Sequence, residues 1–334
     1  MNFDFLRNKK VLITGHTGFK GSWLSLWLNY YNSKIIGISI DKPSKPNLFD
    51  KLNNKKFITS YKFDICNAKK LKAIFKKHKP DIVFHLAAQA IVSDSYLNPR
   101  RTYLSNVMGT FNILEAIKET KSVKAAIMVT SDKCYEMGNK KYLNETDPLG
   151  GNDIYSSSKA ACEILINSYR KSFLDKNEFP QVASVRAGNV IGGGDWAKNR
   201  IIPDIYRAFT KKKPLVIRHP NAIRPWQHVL DPLFGYMLLS KKLYQSKGQF
   251  DQSWNFGPNA GGIKNVNKIV TDVKKQWNIN SNSIFLKKNK FTEEQILMLS
   301  SNKAKKYLHW KPILNYNKTI ELTVKWYDQY LKKS

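Results

Sequence analysis

Long hydrophobic runs are absent from this 334-residue chain, and its first ten residues lack the pattern of a secretory signal. The longest apolar runs fall short of the roughly 20 residues that a membrane span needs. Cysteine is scarce, since Cys66, Cys134 and Cys162 lie far apart and have no histidines at ligand spacing. The sequence therefore indicates neither a disulfide framework nor a metal site, and it predicts a cytoplasmic protein without membrane contact.

Acidic residues and arginines are also few. The chain has 25 Asp and Glu against 56 Lys and Arg, which gives a formal net charge of +31, and 9 of those basic residues are arginine, so 47 are lysine. Clustered basic residues indicate nucleic-acid binding. Here the lysines are spread from Lys9 to Lys333. We therefore predict a solvated surface and no nucleic-acid partner, with a charge that can steer anionic ligands towards the protein.

Five of the nine arginines lie between Arg186 and Arg224. A planar guanidinium suits bidentate contact with phosphate, and lysine does not replace it in that role. Structural ion pairing is an equally good interpretation of any single one of these arginines.

Short apolar runs alternate with amphipathic helical segments as far as Arg186, which is the pattern of repeated βαβ units. The runs predict strands over residues 11–14, 34–40, 57–64, 82–86, 125–130 and 182–185. The helical periodicity predicts helices over residues 21–31, 68–77, 100–119 and 155–173. The fold class is therefore α/β, a Rossmann-type doubly wound parallel sheet with a smaller C-terminal substrate-binding lobe.

The alternation ends after Arg186, where glycines 192–194 and four prolines punctuate shorter elements. We predict a Rossmann domain over residues 1–186, completed by a helix and a strand within residues 227–257. The second lobe then consists mainly of residues 187–334.

Three glycines, Gly15, Gly18 and Gly21, follow the first predicted strand at the turn into a helix. Their spacing lets the backbone approach a pyrophosphate at the helix N-terminus, so the turn predicts dinucleotide binding. Asp41 ends the second apolar run, where a carboxylate accepts hydrogen bonds from ribose hydroxyls and favours NAD over NADP. It can equally be a turn residue before a proline. Asp64, at the end of the third run, is placed to meet the adenine amino group.

Tyr155 and Lys159 are one turn apart at the start of a predicted helix. A nearby ammonium stabilises a phenolate, so the pair can act as a general base near neutral pH. Ser131 follows the fifth predicted strand and can bring a hydroxyl to the same substrate oxygen. The spacing of the tyrosine and lysine alone is weak evidence, and its combination with the serine and the glycine turn makes the prediction specific.

These features resemble the extended short-chain dehydrogenase/reductase family over essentially the whole chain. Within that family, six stretches are most similar to the CDP-glucose 4,6-dehydratases. They are residues 14–24 (TGHTGFKGSWL), 84–90 (FHLAAQA), 131–136 (SDKCYE), 149–153 (LGGND), 186–196 (RAGNVIGGGDW) and 223–232 (IRPWQHVLDP).

The resemblance implies a lyase that dehydrates CDP-glucose with NAD through an internal redox cycle. Tyr155 takes the proton of the C4 hydroxyl while hydride leaves C4, water is lost across C5 and C6, and the hydride returns to C6. Asp132 is implied as the acid for the C6 hydroxyl and Lys133 as the base for C5. Related dTDP-glucose dehydratases have glutamate where this chain has Lys133.

The resemblance also implies ligand residues. The NAD-binding residues are Gly15, Thr17, Gly18, Phe19, Lys20, Gly21, Asp41, Asp64, Ile65, Leu86, Ala87, Ala88, Gln89, Asn106, Tyr155, Lys159 and Arg186. The nucleotide-sugar residues are Asn189, Arg200, Arg218, Arg224 and His228. Helices over residues 100–119 and 155–173 commonly form the subunit interface in this family, which implies a homodimer or homotetramer.

Three alternatives stay open: a dTDP-glucose dehydratase, a nucleotide-sugar 4-epimerase, and a Rossmann protein that binds or senses without turnover. Lys133 argues against the first, and an epimerase has no need of the Asp132 and Lys133 pair. A binding protein needs neither these groups nor an activated phenol.

Overall fold

The computed structural model describes residues 3–136, 138, 142–174, 180–278, 283–285 and 296–332. Its strands are β1 Lys10–Thr14, β2 Lys34–Ser39, β3 Ile58–Lys62, β4 Ile82–His85, β5 Ala125–Val129, β6 Gln181–Ala187, β7 Val190–Ile191, β8 Leu215–Ile217, β9 Ile223–Pro225, β10 Gln227–His228, β11 Ser253–Phe256, β12 Ile263–Asn265 and β13 Ser283–Phe285.

Seven of these strands form one sheet in the order β3-β2-β1-β4-β5-β6-β11. All neighbouring strands in it are parallel. Parallel strands that are covered on both faces have continuous apolar runs in their sequences. Every residue of β6 is buried. The predicted doubly wound sheet is confirmed.

The helices are α1 Phe19–Tyr30, α2 Leu48–Lys51, α3 Ala68–His78, α4 Val92–Leu97, α5 Pro99–Tyr103, α6 Gly109–Lys118, α7 Ile154–Ser172, α8 Ile201–Thr210, α9 Leu230–Gln245, α10 Val266–Trp277, α11 Asn302–Leu308 and α12 Tyr316–Lys332. Short 3₁₀ turns cover Asp4–Leu6, Asn54–Lys56, Asp132–Cys134 and Ala260–Gly262, and Leu104–Met108 forms a π-helical turn. The helix predicted over residues 100–119 is confirmed as a continuous helical segment, in which the π turn lies between α5 and α6.

Helices cover both faces of the sheet. On one face, Val11 and Ile13 pack with residues of α1 and α9 in a single apolar cluster. On the other face, Leu12 packs with residues of α3, α6 and α7. Successive residues of β1 thus point into different cores, as the period of two in a strand requires.

A crevice opens at the carboxyl ends of β1 and β4. The chain runs outward from β1 through β2 to β3 and then returns to β4 on the other side of β1. The loops after β1 and β4 therefore diverge to opposite faces of the sheet, and ligands of open α/β sheets bind at such a reversal point.

The glycine turn after β1 has no room for side chains. Gly15 has φ +77°, and a Cβ there would lie 2.8 Å from the backbone nitrogen of Ala87 in the loop after β4. A Cβ on Gly21, in the first turn of α1, would lie 2.2 Å from the carbonyl oxygen of Gly15. Glycine is therefore required where the turn touches both the second loop and its own helix.

A second core lies in the C-terminal part of the chain. Trp196 packs edge-on against Tyr206 and Tyr327, and Trp277 contacts the same two tyrosines. Trp226 is buried in the same cluster, which joins β8 to α8, α10 and α12. Both Trp196 and Trp226 are thus core residues here.

The strand β11 and the helix α9, from the later part of the sequence, pack into the first sheet. The division of the chain near residue 186 stays a prediction. None of the helices in the described residues is long and apolar enough to cross a membrane, and the cytoplasmic location also stays a prediction.

We expect Gly21→Ala to lower the free energy of unfolding by about 2 kcal/mol or more, because its Cβ overlaps the Gly15 carbonyl and the turn must shift. The matched control is Gly261→Ala, since a Cβ at Gly261 would have no atom within 4 Å. Urea unfolding of the two variants measures the difference. Equal stability of both would show that the turn adapts without cost.

Candidate active site

Helix α7 places Tyr155 and Lys159 against the end of β5. Asp153 caps the helix, accepting from the backbone nitrogen of Ser156 at 2.9 Å. Tyr155 and Lys159 are both buried, and Lys159 Nζ donates to the backbone oxygen of Val129 at 3.4 Å. The Ser131 side chain lies close enough to the Tyr155 phenol to lower its pKa. The structure therefore brings these three predicted site residues together.

Burial dominates the acidity of the phenol. Burial raises the pKa of Tyr155 to about 12; the neighbouring Ser131 side chain opposes this increase, and the negative charge of Asp132 contributes to it. Burial likewise lowers the pKa of Lys159. The prediction that Tyr155 and Lys159 act together as a general base near neutral pH stays a prediction.

Asp132 lies in the short turn after β5, which Ser131 caps. The Ser131 hydroxyl accepts from the backbone nitrogen of Lys133 at 3.2 Å and donates to Asp132 Oδ1 at 3.0 Å. Asp132 Oδ2 is buried without a hydrogen-bond partner. Burial raises the pKa of this carboxyl, although the charges of Lys133, Arg224 and Lys20 oppose the shift. A carboxyl in this setting is suited to hold and release a proton.

Basic side chains surround this carboxyl. Lys20 comes from the start of α1, and burial together with the charge of Arg200 lowers its pKa to about 8. Arg200 pairs with Asp195 at 3.1 Å and interacts with the Tyr155 phenol. Burial also lowers the pKa of Lys303 to about 8, but this lysine donates to the backbone of β11 and belongs to a different region.

The predicted substrate residues come from the second lobe and its borders. Arg218 donates to the backbone oxygen of Asn199 at 2.9 Å, and Arg224 is buried and donates to that of Ile223 at 2.9 Å. Asn189 accepts from the backbone of Gln227 at 3.0 Å. His228 is buried, which lowers its pKa to about 4, so its imidazole is neutral at pH 7.

A small pocket opens between these elements, beside Asp132. It is lined by Lys133, Tyr135, Gly151, Asn152, Ser156, Arg224 and Leu297. The pocket therefore joins the turn after β5, the start of α7 and the second lobe, and it presents two of the predicted site residues to a ligand.

Asn106 connects the crevice to α7. Its Oδ1 accepts from the backbone nitrogen of Gln89 at 2.8 Å, and its Nδ2 donates to the Gln89 carbonyl at 3.1 Å and to Ser158 Oγ at 2.9 Å. It lies in the π-helical turn, a feature frequent at functional sites. The turn therefore holds the loop after β4, residues 86–89, beside the helix of Tyr155.

The far end of the crevice is formed by the ends of β2 and β3. Asp41 is exposed and pairs with Lys62 at 3.0 Å, a contact that lowers its pKa. The hydroxyl of Thr17 donates to the Asp41 carbonyl at 2.7 Å. Asp64 accepts from the backbone nitrogen of Cys66 at 2.9 Å, and Ile65 is buried beside it. These residues follow the carboxyl ends of β2 and β3. They therefore lie along the same edge of the sheet, as the sequence predicts.

Arg186 lies in a buried ion pair with Glu163 at 2.8 Å, and its guanidinium is 4.7 Å from the ring centre of Tyr135. Its role towards NAD stays a prediction. Sequence reasoning missed Glu163, although a glutamate one turn after Lys159 was a visible signal. No group of three or more His, Cys, Asp or Glu side chains in the described ranges is arranged to hold a metal ion.

Similarity to known proteins covers nearly the whole chain. A family model described as GDP-mannose 4,6 dehydratase matches residues 12–323. A CDP-glucose 4,6-dehydratase of Salmonella typhimurium is 41% identical over 336 residues, which cover 98% of this chain and 93% of that protein.

Solved structures share the fold. A UDP-glucose 4-epimerase of Thermotoga maritima, solved with UDP-glucose, has a TM-score of 0.85 at 22% identity and covers 96% of this chain and 99% of its own. DesIV, a dTDP-glucose 4,6-dehydratase of Streptomyces venezuelae solved with NAD, has a TM-score of 0.85 at 19% identity, with coverage of 97% and 98%. At these identities the likeness shows the fold alone.

We expect Asp132→Asn to stabilise the protein at pH 8 by about 1 kcal/mol and to have less effect at pH 4. The raised pKa of Asp132 means that the folded state binds this proton more tightly than the unfolded state. Its contribution is favourable below the ordinary carboxyl pKa and is lost as pH rises through the raised value. Urea unfolding at the two pH values measures the effect, and a loss of stability at pH 8 would contradict it.

Proposed function

Since this chain belongs to the GDP-mannose 4,6 dehydratase family, we propose that it is a lyase that dehydrates CDP-glucose to CDP-4-keto-6-deoxyglucose with NAD. The proposal rests mainly on the pair Asp132 and Lys133. This pair lies beside three buried side chains, those of Ser131, Tyr155 and Lys159. Oxidation at C4 alone needs no additional acid and base, whereas elimination of water needs both. The 41% identity to a CDP-glucose dehydratase supports the choice of nucleotide.

The glycine turn fits a dinucleotide. The space that a Cβ would fill at Gly15 and Gly21 is taken by backbone, so the start of α1 can approach a diphosphate closely. Thr17, Gly18, Phe19 and Lys20 complete this turn. Asp41, Asp64 and Ile65 would hold the adenosine half, and residues 86–89 with Asn106 would hold the nicotinamide half. When bound, NAD accepts hydride from C4 and later returns it to C6, and its positive ring favours the phenolate.

Tyr155 begins the reaction by accepting the C4 hydroxyl proton, while the Ser131 hydroxyl orients the same oxygen. Lys159 stabilises the phenolate from one turn away. The ketone at C4 then acidifies the C5 proton. Lys133 accepts that proton as the base, and Asp132 donates its own to the departing C6 hydroxyl, which leaves as water. The return of hydride to C6 requires a proton at C5, and Lys133 would give back the one that it accepted, so that this side chain ends as it began.

The substrate diphosphate is anionic, and the second lobe supplies arginines for it. The charge of Arg200 acts on the Tyr155 phenol and that of Arg224 on Asp132, which supports a place for both near the reacting sugar. We assign these two with Arg218 to the diphosphate. Asn189 and the neutral His228 are the polar contacts for the rest of the nucleotide-sugar.

We expect the purified protein with NAD to form a 4-keto sugar from CDP-glucose, faster than from dTDP- or GDP-hexoses. Turnover of dTDP-glucose without turnover of CDP-glucose would overturn the nucleotide assignment. Formation of a C4 epimer without a 4-keto product would favour the epimerase alternative.

We expect Tyr155→Phe to lower kcat at least about 100-fold, because the C4 proton loses its acceptor. Tyr206→Phe is the control, since it removes a buried phenol from the second core, away from the site. Undiminished turnover by Tyr155→Phe would contradict the mechanism.

We also propose a homodimer through α4–α7. These adjacent helices expose large apolar side chains, namely Leu97 at 71%, Leu104 and Met108 at 45% each and Ile164 at 57%. Contiguous apolar exposure of this kind marks interaction surfaces. Two copies related by a twofold axis can cover the same face on each other.

We expect Ile164→Glu to convert the dimer to a monomer in sedimentation velocity, because the carboxylate would be buried at the interface. Ile313→Glu is the control, as Ile313 is 69% exposed but precedes α12 and lies outside this helical face. A dimer that persists in Ile164→Glu, or a monomeric parent protein, would contradict the assignment.

A further inference from the structure

Three side chains of α7, Tyr155, Lys159 and Glu163, follow one another at intervals of one turn, and all face the end of β5. The Tyr155 phenol lies beside the Ser131 side chain, which affects its pKa, and Lys159 Nζ donates to the Val129 carbonyl at 3.4 Å. Glu163 Oε1 accepts from Thr130 Oγ1 at 2.5 Å. Three consecutive residues of the strand end are thus tied to one stripe of the helix, and the proposed mechanism uses only the first two contacts.

Glu163 is fixed by the rest of the sheet. Its Oε2 accepts from Arg186 at 2.8 Å, from Ser184 Oγ at 2.8 Å and from Ser253 Oγ at 3.1 Å. Ser184 and Arg186 belong to β6, and Ser253 belongs to β11. With Thr130, residues at three neighbouring strands therefore converge on one carboxylate.

The carboxylate is ionised and rigidly held. Burial opposes its ionisation, but the Arg186 guanidinium and the hydrogen bonds lower the pKa of Glu163 to about 2. Arg186 is itself held over the ring of Tyr135, whose hydroxyl donates to Asn255 Oδ1 at 2.7 Å. Both oxygens of the Glu163 carboxylate therefore have hydrogen-bond donors, whereas Nε and Nη1 of Arg186 are buried without a partner. Several bonds to one carboxylate favour one arrangement of its partners.

We propose that Glu163 and Thr130 are a positioning pair that sets the place of the Ser131 hydroxyl relative to Tyr155 and Lys159. The proposal deepens the proposed function and rests on it. Ser131 follows Thr130 directly in the chain, so a displacement of Thr130 moves the serine hydroxyl. The Tyr155 phenol and the Lys159 ammonium belong to α7, the helix that also carries Glu163. They therefore do not move when Thr130 is displaced.

The effect on the reaction follows from geometry. The substrate oxygen must meet the Ser131 and Tyr155 hydroxyls together, and a displacement of about 1 Å can cost up to about 100-fold in rate. Binding of the nucleotide depends on residues of other elements, so KM is expected to change little. The pair therefore acts through Ser131 and touches neither substrate nor cofactor.

Three conservative variants separate this role from simple stability. Thr130→Val keeps the shape and removes the hydroxyl, whereas Thr130→Ser keeps the hydroxyl and removes the methyl group. Ser184→Ala removes one donor to the same carboxylate but leaves Thr130 bound to it. We expect kcat to fall about tenfold or more in Thr130→Val, with KM nearly unchanged, and to stay within about twofold in the other two.

A second readout needs no substrate. The tyrosines are labelled with ¹³C at Cζ, and the Tyr155 signal is identified by its absence from the spectrum of Tyr155→Phe. NMR then follows the titration of the Tyr155 phenol. Displacement of Ser131 weakens its interaction with the phenol, which opposes the burial effect, so Thr130→Val is expected to raise the pKa of Tyr155. Ser184→Ala is expected to leave it unchanged.

The outcomes are distinct. A fall in kcat and a changed Tyr155 titration confined to Thr130→Val, with rescue in Thr130→Ser, support the positioning pair. Equal effects of Thr130→Val and Ser184→Ala on kcat, or an unchanged titration in Thr130→Val, overturn it. If the parent protein has no dehydratase turnover, the proposed function fails, and the titration alone decides whether the pair positions Ser131.

Discussion

The contact between the start of α7 and the end of β5 is the constraint on which the site depends. Helix α7 presents Tyr155 and Lys159, and the strand end carries Ser131 and the turn with Asp132. Both elements lie in the core, so a phenol, an ammonium and a carboxyl are taken out of water together. The chemistry proposed for them needs this desolvation, because it raises the pKa of Asp132 and keeps an acid available.

Burial also explains the distribution of charge in the molecule. The many lysines that set the net charge are spread along the chain, but a few basic groups converge on the site from different elements. Lys20 comes from the glycine turn, Arg200 from the residue before α8, and Arg224 from β9. Such a cluster favours an anionic substrate and opposes the burial effect on Asp132.

The sequence predicted the sheet, the glycine turn and the Tyr155 and Lys159 pair, since each depends on local spacing along the chain. It did not predict the π-helical turn at Asn106, because the helical periodicity continues through that turn and its position depends on contacts with Gln89 and Ser158. Nor did it predict the Glu163 and Arg186 pair, whose partners are distant in sequence. The sequence also cannot predict the pKa of Tyr155, because the extent to which this side chain is buried depends on the tertiary structure.

The proposed function requires that an oxidation at C4 is reversed within the same turnover by reduction at C6. It is tested most directly with CDP-glucose that carries deuterium at C4, with the product analysed by mass spectrometry and NMR. We expect a 4-keto-6-deoxy product with the deuterium at C6 and none lost to solvent. A product with the label retained at C4, or with the label exchanged into water, would contradict it.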